Sequence, residues 1–167
     1  MKRLFRLVLT FLCLLVLAGC KSSSMPEEMP EDFSFTVRWN TYGISSYDSQ
    51  TGKLVKDAEA AEPKDYTIEY FLTEEEMSRI YGYIRELDPY DYPDDYEPRG
   101  NHLAEPPHPL YLTVRVNGTE KQIRVRNFSQ SQDRKGELYF STCQAITAFL
   151  ESTEAWQSLP EYERFFE

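Results

Sequence analysis

Apolar residues Phe33, Phe35, Val37 and Trp39 alternate with Ser34, Thr36, Arg38 and Asn40, the period-two signature of a strand with one buried face. Tyr42-Gly43 interrupts the pattern. Ile44 to Asp48 and Lys53 to Lys56 then flank Ser49-Gln50-Thr51-Gly52, which predicts a hairpin with Gly52 supplying positive φ. Residues 57–64 are polar and alanine-rich and read as a loop. Tyr66, Ile68, Tyr70 and Leu72 mark another strand. Further on, Asn117-Gly118 calls for a two-residue type I′ turn, and that turn dictates a register. Val116 faces Thr119, Val114 faces Lys121, Leu112 faces Ile123 and Leu110 faces Val125. On the other side Arg115 meets Glu120, Thr113 meets Gln122 and Tyr111 meets Arg124. Turn chemistry and alternation are independent arguments, and they agree on one buried and one wet face.

Two segments carry helical spacing instead. Thr73-Glu74-Glu75-Glu76 combines a capping hydroxyl, a reciprocal glutamate and carboxylates at the positive end of the helix dipole. Met77, Ile80, Tyr81, Ile84 and Leu87 follow on one face, and Asp88-Pro89 stops the helix. After a polar loop over 127–136, Glu137 to Glu151 presents Tyr139, Cys143, Ile146, Phe149 and Leu150 as a stripe. Ser152-Thr153-Glu154 restarts a short helix carrying Trp156. The pattern predicts an α+β fold, an antiparallel sheet of about five strands with two main helices packed on one face. Residues 89–109 are left irregular, and a loop of that length inside a compact domain is more often functional than a mere connection.

Ahead of the first strand lies a different pattern. Lys2, Arg3 and Arg6 form a basic start, and Leu7 to Leu17 is apolar but for Thr10, the length of a signal segment and short of a membrane span. The run ends in Leu17-Ala18-Gly19-Cys20, which resembles a lipobox. That resemblance covers residues 1–20 and implies cleavage before Cys20 and lipidation of its thiol. The expected organisation is a signal peptide over 1–19, a lipidated tether over 20–31 and a single α+β domain over 32–167. The expected address is the outer, extracytoplasmic face of a cell membrane, where more than one acyl chain gives stable anchoring.

Loss of the leader removes three basic residues and takes the formal net charge from −10 to −13. So acidic a chain argues against nucleic acid as a partner. Abundant aromatic residues argue against disorder. Cys13 departs with the leader and Cys20 takes the lipid, leaving Cys143 alone, so no intramolecular disulfide is expected.

The segment Asp88-Pro89-Tyr90-Asp91-Tyr92-Pro93-Asp94-Asp95-Tyr96-Glu97 is the most unusual in composition. Tyr90, Tyr92 and Tyr96 offer rigid contact area, and Asp91, Asp94 and Asp95 offer carboxylates for amines, so the run is a candidate recognition loop. Its oxygen density also suits calcium, although the glycine and acid spacing of an EF-hand are missing. The plain alternative is a solvated loop whose tyrosines cover the end of the first helix. Arg115, Arg124 and Arg126 share the wet hairpin face and offer an anion site, unless they pair with surface acids. His102, Glu105 and His108 lie close in sequence but lack the spacing and thiolate of a zinc site. Cys143 reads as a core thiol. No catalytic constellation, metal set or cofactor is expected.

Phe35 to Ile44 with the Gln50-Thr51-Gly52-Lys53 hairpin, Phe71 to Glu76, and Ser152-Thr153-Glu154-Ala155-Trp156 together resemble a group of small lipoproteins of Gram-positive, clostridia-like bacteria. The resemblance runs over most of residues 33–160 and implies a cell-envelope setting but no activity. The expectation is a binding or interaction module for an extracytoplasmic protein or a small ligand. The alternatives are an envelope hydrolase with a site the sequence does not display, and an inhibitor or immunity-type protein.

Overall fold

A computed structural model describes residues 24–102, 104–128 and 130–163. The fold is α+β. Six antiparallel strands form one sheet in the order β4-β3-β2-β1-β5-β6, one strand beyond the expected number. They are β1 (Ser34–Trp39), β2 (Ser45–Asp48), β3 (Lys53–Val55), β4 (Thr67–Glu69), β5 (Leu110–Val116) and β6 (Thr119–Val125). The helices are α1 (Glu74–Leu87), α2 (Arg134–Glu151) and the single turn α3 (Glu154–Gln157). Chain order and sheet order part at β1, which lies between β2 and β5, so the centre of the sheet joins segments some eighty residues apart.

Strand alternation sets the layers. Phe35, Val37, Trp39, Leu112, Val114 and Ile123 are buried and meet Ile80, Tyr81 and Ile84 of α1 and Tyr139, Cys143, Ile146 and Leu150 of α2 in one core. Each fully buried large side chain contributes about 1.5–3 kcal/mol. On the other face Thr36, Arg38, Thr113, Arg115 and Gln122 stay wet or half-wet. The β5–β6 hairpin has the register the Asn117-Gly118 turn dictates, from Leu110 opposite Val125 to Val116 opposite Thr119. Asn117 and Gly118 take φ of 51° and 70°. Their N–H groups donate to the Asp32 carboxylate at 2.8 and 2.6 Å, which holds Asp32 below the ordinary carboxylate range.

The capping box of α1 is formed as read: Thr73 Oγ1 accepts from the Glu76 N–H, and the Glu76 carboxylate accepts from the Thr73 N–H. Helix α2 begins earlier than the stripe suggested. Asp133 caps it by accepting from the Gly136 N–H at 2.8 Å. Gly136 looks like loop sequence, but a side chain there would collide with Ser131, so the glycine is required by a close approach inside the first turn.

Both ends of the described chain are pinned. In the segment read as a tether, Met25 is buried, and the Pro26 and Glu28 carbonyls accept from the Tyr81 hydroxyl at 2.7 and 3.2 Å. Arg85 donates to the Glu27 carbonyl, so from residue 24 onward this stretch is packed against α1 rather than free of the domain. At the other end Lys56 is buried, donates to the Leu159 carbonyl at 3.3 Å, and lies over the rings of Trp156 and Tyr162. Among the described residues no helix is long and apolar enough to cross a membrane.

Candidate functional site

The structure brings two of the sequence candidates together and lets them neutralise one another. The acidic tyrosine run follows α1, turns through Pro89–Asp91, and lies along β6 as a short parallel bridge between Asp95 and Arg124. The Arg124 N–H donates to the Asp94 carbonyl at 2.7 Å, and the Tyr96 N–H donates to the Arg124 carbonyl at 3.0 Å. Asp95 takes both a guanidinium fork from Arg124 and a 3.6 Å ion pair with Arg126, and Asp94 pairs with Lys121 at 2.6 Å. The hydrogen bonds from Arg124, foremost, and its charge hold the Asp95 carboxyl below its ordinary range. Arg115 is forked onto Glu120. The three arginines therefore do not stand as an unpaired anion site.

Of the tyrosines read as a recognition surface, Tyr92 is buried and Tyr90 and Tyr96 are half-buried. Tyr92 is only 3% exposed; its ring lies 5.8 Å from Tyr139 and 5.1 Å from Tyr96, and its hydroxyl donates to the Lys135 carbonyl. Tyr96 is half-buried, with its hydroxyl on Asp133 and its pKa pushed up to about 12, chiefly by burial and then by the Asp133 charge. Tyr90 is half-buried against the core. Asp91 is exposed, and its carbonyl accepts from Lys135. The segment thus covers the β6 edge at Arg124, whose free N–H and C=O groups would otherwise invite another strand. No group of three or more His, Cys, Asp or Glu among the described residues is arranged to hold a metal ion. Cys143 is fully buried and its thiol is pushed up to about 12 by burial. Cys20 lies outside the described residues.

A concavity lies elsewhere, beside the C-terminal half of α2. A cleft of about 360 Å³ opens between Trp39 and Asn40 at the end of β1, His108 to Leu110 at the start of β5, Phe128, and one face of α2. That face is Phe140, Gln144, Thr147, Ala148 and Glu151, spaced three or four apart in the main, so a single helical row lines the cleft. Phe128 and Phe140 stack with centroids 4.6 Å apart and planes within 3°, and Phe140 stays 39% exposed. At the inner end the Trp39 indole N–H donates to Glu151 Oε1 at 2.6 Å, and the Trp39 ring stacks on Trp156 at 5.4 Å.

The rim is backbone-strained. Asn40 has φ 67°, ψ 176° and Tyr42 has φ 56°, conformations that cost a side-chain-bearing residue about 1–3 kcal/mol each and persist only when neighbours impose them. The neighbours are identifiable. The Asn40 amide donates to Ser45 Oγ at 3.1 Å and to the Tyr162 hydroxyl at 2.6 Å, and the Tyr42 N–H donates to the Pro107 carbonyl at 2.8 Å. His108 is held by its N–H to Asn127 Oδ1 at 3.1 Å, with Nδ1 at 3.5 Å from the Thr41 hydroxyl. The sequence offered His108 as a metal ligand or, by default, an exposed loop histidine, which it is, and the rest of the cleft was missed. The available signal was Phe140, a large apolar residue beside the buried stripe, in line with Gln144, Ala148 and Glu151.

No protein-family model, no curated protein and no solved structure matches this chain.

Proposed function

We propose that the protein is a lipid-anchored extracytoplasmic binding module, tethered through Cys20, whose ligand site is the cleft between α2 and the β1 and β5 ends. The Leu17-Ala18-Gly19-Cys20 box supports the anchor. The observation that carries the binding reading is the cleft itself: a concavity in the size range of small-molecule sites, walled in part by Trp39, Phe128 and Phe140, with a few polar groups from Asn40, His108, Gln144 and Glu151. The strained turn beside it, fixed by the Ser45 and Tyr162 side chains and by the Pro107 carbonyl, is the kind of over-determined backbone that collects at ligand sites. The resemblance to envelope lipoproteins is consistent with such a role and contributes no ligand. The test is ligand-observed NMR of a fragment mixture against the wild type and Ala148→Phe, a filling substitution at an exposed cleft position. Binders lost in the variant at unchanged melting temperature support the reading. Binders retained by the variant, or none with the wild type, contradict it.

A further inference from the structure

We infer that the cleft takes an aromatic or apolar amine, with its ammonium group at Glu151 and its apolar body against Phe140 and Phe128; this deepens the binding reading and rests on it. The charge balance of the lining is one-sided. Glu151 is its one carboxylate, and the lining holds neither lysine nor arginine. Among the described residues the Glu151 carboxylate receives a single hydrogen bond, from the Trp39 indole to Oε1, and pairs with no cation; the Gln157 amide donates to the Glu151 backbone carbonyl instead. Its second oxygen, Oε2, remains an open acceptor at the inner end of the cleft. The indole N–H fixes the carboxylate's position without neutralising it, because a neutral donor leaves the charge in place.

The helix adds to the same field. Glu151 is the last residue of α2, eighteen residues long, and Thr147, Ala148 and Glu151 are in its final turns. The C-terminal end of a helix carries partial negative charge and favours a cation nearby. An anionic ligand would meet both the carboxylate and this end of the dipole, with no lysine or arginine in the lining to offset them. The stacked Phe128–Phe140 pair supplies a flat apolar wall toward the mouth, and Gln144 and Asn40 supply amide groups between the two ends. The arrangement therefore sorts ligands by charge at one end and by apolar area at the other.

The experiment compares three probes of one shape, phenethylamine, 2-phenylethanol and 3-phenylpropionate. Each is titrated into the full chain purified in mild detergent, with the emission of Trp39 and Trp156 as readout. The amine is expected to bind about tenfold more tightly than the alcohol, the increment of a charge-assisted hydrogen bond, and the acid more weakly than the alcohol. Glu151→Gln keeps an acceptor for the Trp39 indole and removes the charge. It should bring the amine down to about the alcohol's affinity, with a much smaller loss for the alcohol. Equal binding of amine and alcohol by the wild type, or an amine preference that survives Glu151→Gln, overturns the amine assignment and leaves the binding reading standing. Failure of all three probes and of the fragment mixture overturns both.

Discussion

Arg124 and Asp95 are joined by side chain and by backbone at once. The guanidinium forks onto the carboxylate at 3.1 and 3.0 Å, while the flanking Asp94 carbonyl and Tyr96 N–H take the Arg124 backbone on either side. Twenty-nine residues of sequence separation are closed by this pair, and the acidic tyrosine run becomes a cover for the β6 edge.

If the run is a cover, its tyrosines are core. Tyr92→Ser should cost about 3 kcal/mol or more, as expected when a buried ring is deleted and the cavity only partly collapses. Urea melts of the two proteins measure it. A loss below about 1 kcal/mol, in the range of ordinary surface substitutions, would mean that Tyr92 does not seal the core.

The hairpin faces allow a paired test. Ile123 is fully buried in the core and Thr113 sits on the wet face, half-exposed, across from Gln122. Ile123→Asp forces an unpaired carboxylate into apolar surroundings and should unfold or severely destabilise the domain, whereas Thr113→Asp should cost about 1 kcal/mol or less. Equal shifts in melting temperature would place the faces the other way round.

This hairpin also shows what the sequence makes legible. Asn117-Gly118 is a local signal, its turn type fixes the register, and every pairing from Leu110 to Val125 follows without tertiary information. The capping box at Thr73 and Glu76 is local in the same way. The tyrosine run was ambiguous because Tyr92 meets Tyr139 forty-seven positions away, and the same composition serves an exposed loop and a buried lid. The cleft was harder still. Trp39, His108 and Phe128 converge only because β1 inserts beside β5, a topological fact that no periodicity contains. The α2 start was hidden by Gly136, which reads as a loop residue until Ser131 is seen against it.

Asp133 gives the fold an acid-sensitive cap. The N–H groups of Gly136 and Arg99 lower its pKa from the ordinary 3.8. A carboxyl depressed in the folded state contributes stability that is present above the unfolded value and lost as pH falls through the folded one. Asp133→Asn should therefore be less stable than the wild type at about pH 7, and the gap should narrow as pH drops below about 4 toward 2. Denaturant melts across this range check the trend. A gap that holds constant, or widens in acid, contradicts the charge-assisted cap.

The anchor is tested at its thiol. Cys20→Ala should abolish incorporation of labelled fatty acid, since Cys13 lies inside the apolar run Leu7 to Leu17 and Cys143 in the folded core. Unchanged labelling of the variant in growing cells would remove the lipid anchor from the account.

The central claim is that ligands enter the α2 cleft and not the acidic loop. Protein-observed NMR of the full chain in detergent, titrated with phenethylamine, tests it most directly by reporting on both places at once. Saturable amide shifts are expected to cluster at Asn40, His108, Gln144, Ala148 and Glu151, with Asp91, Asp94 and Asp95 unmoved. Saturable shifts confined to residues 88–97, with the cleft silent, would contradict it.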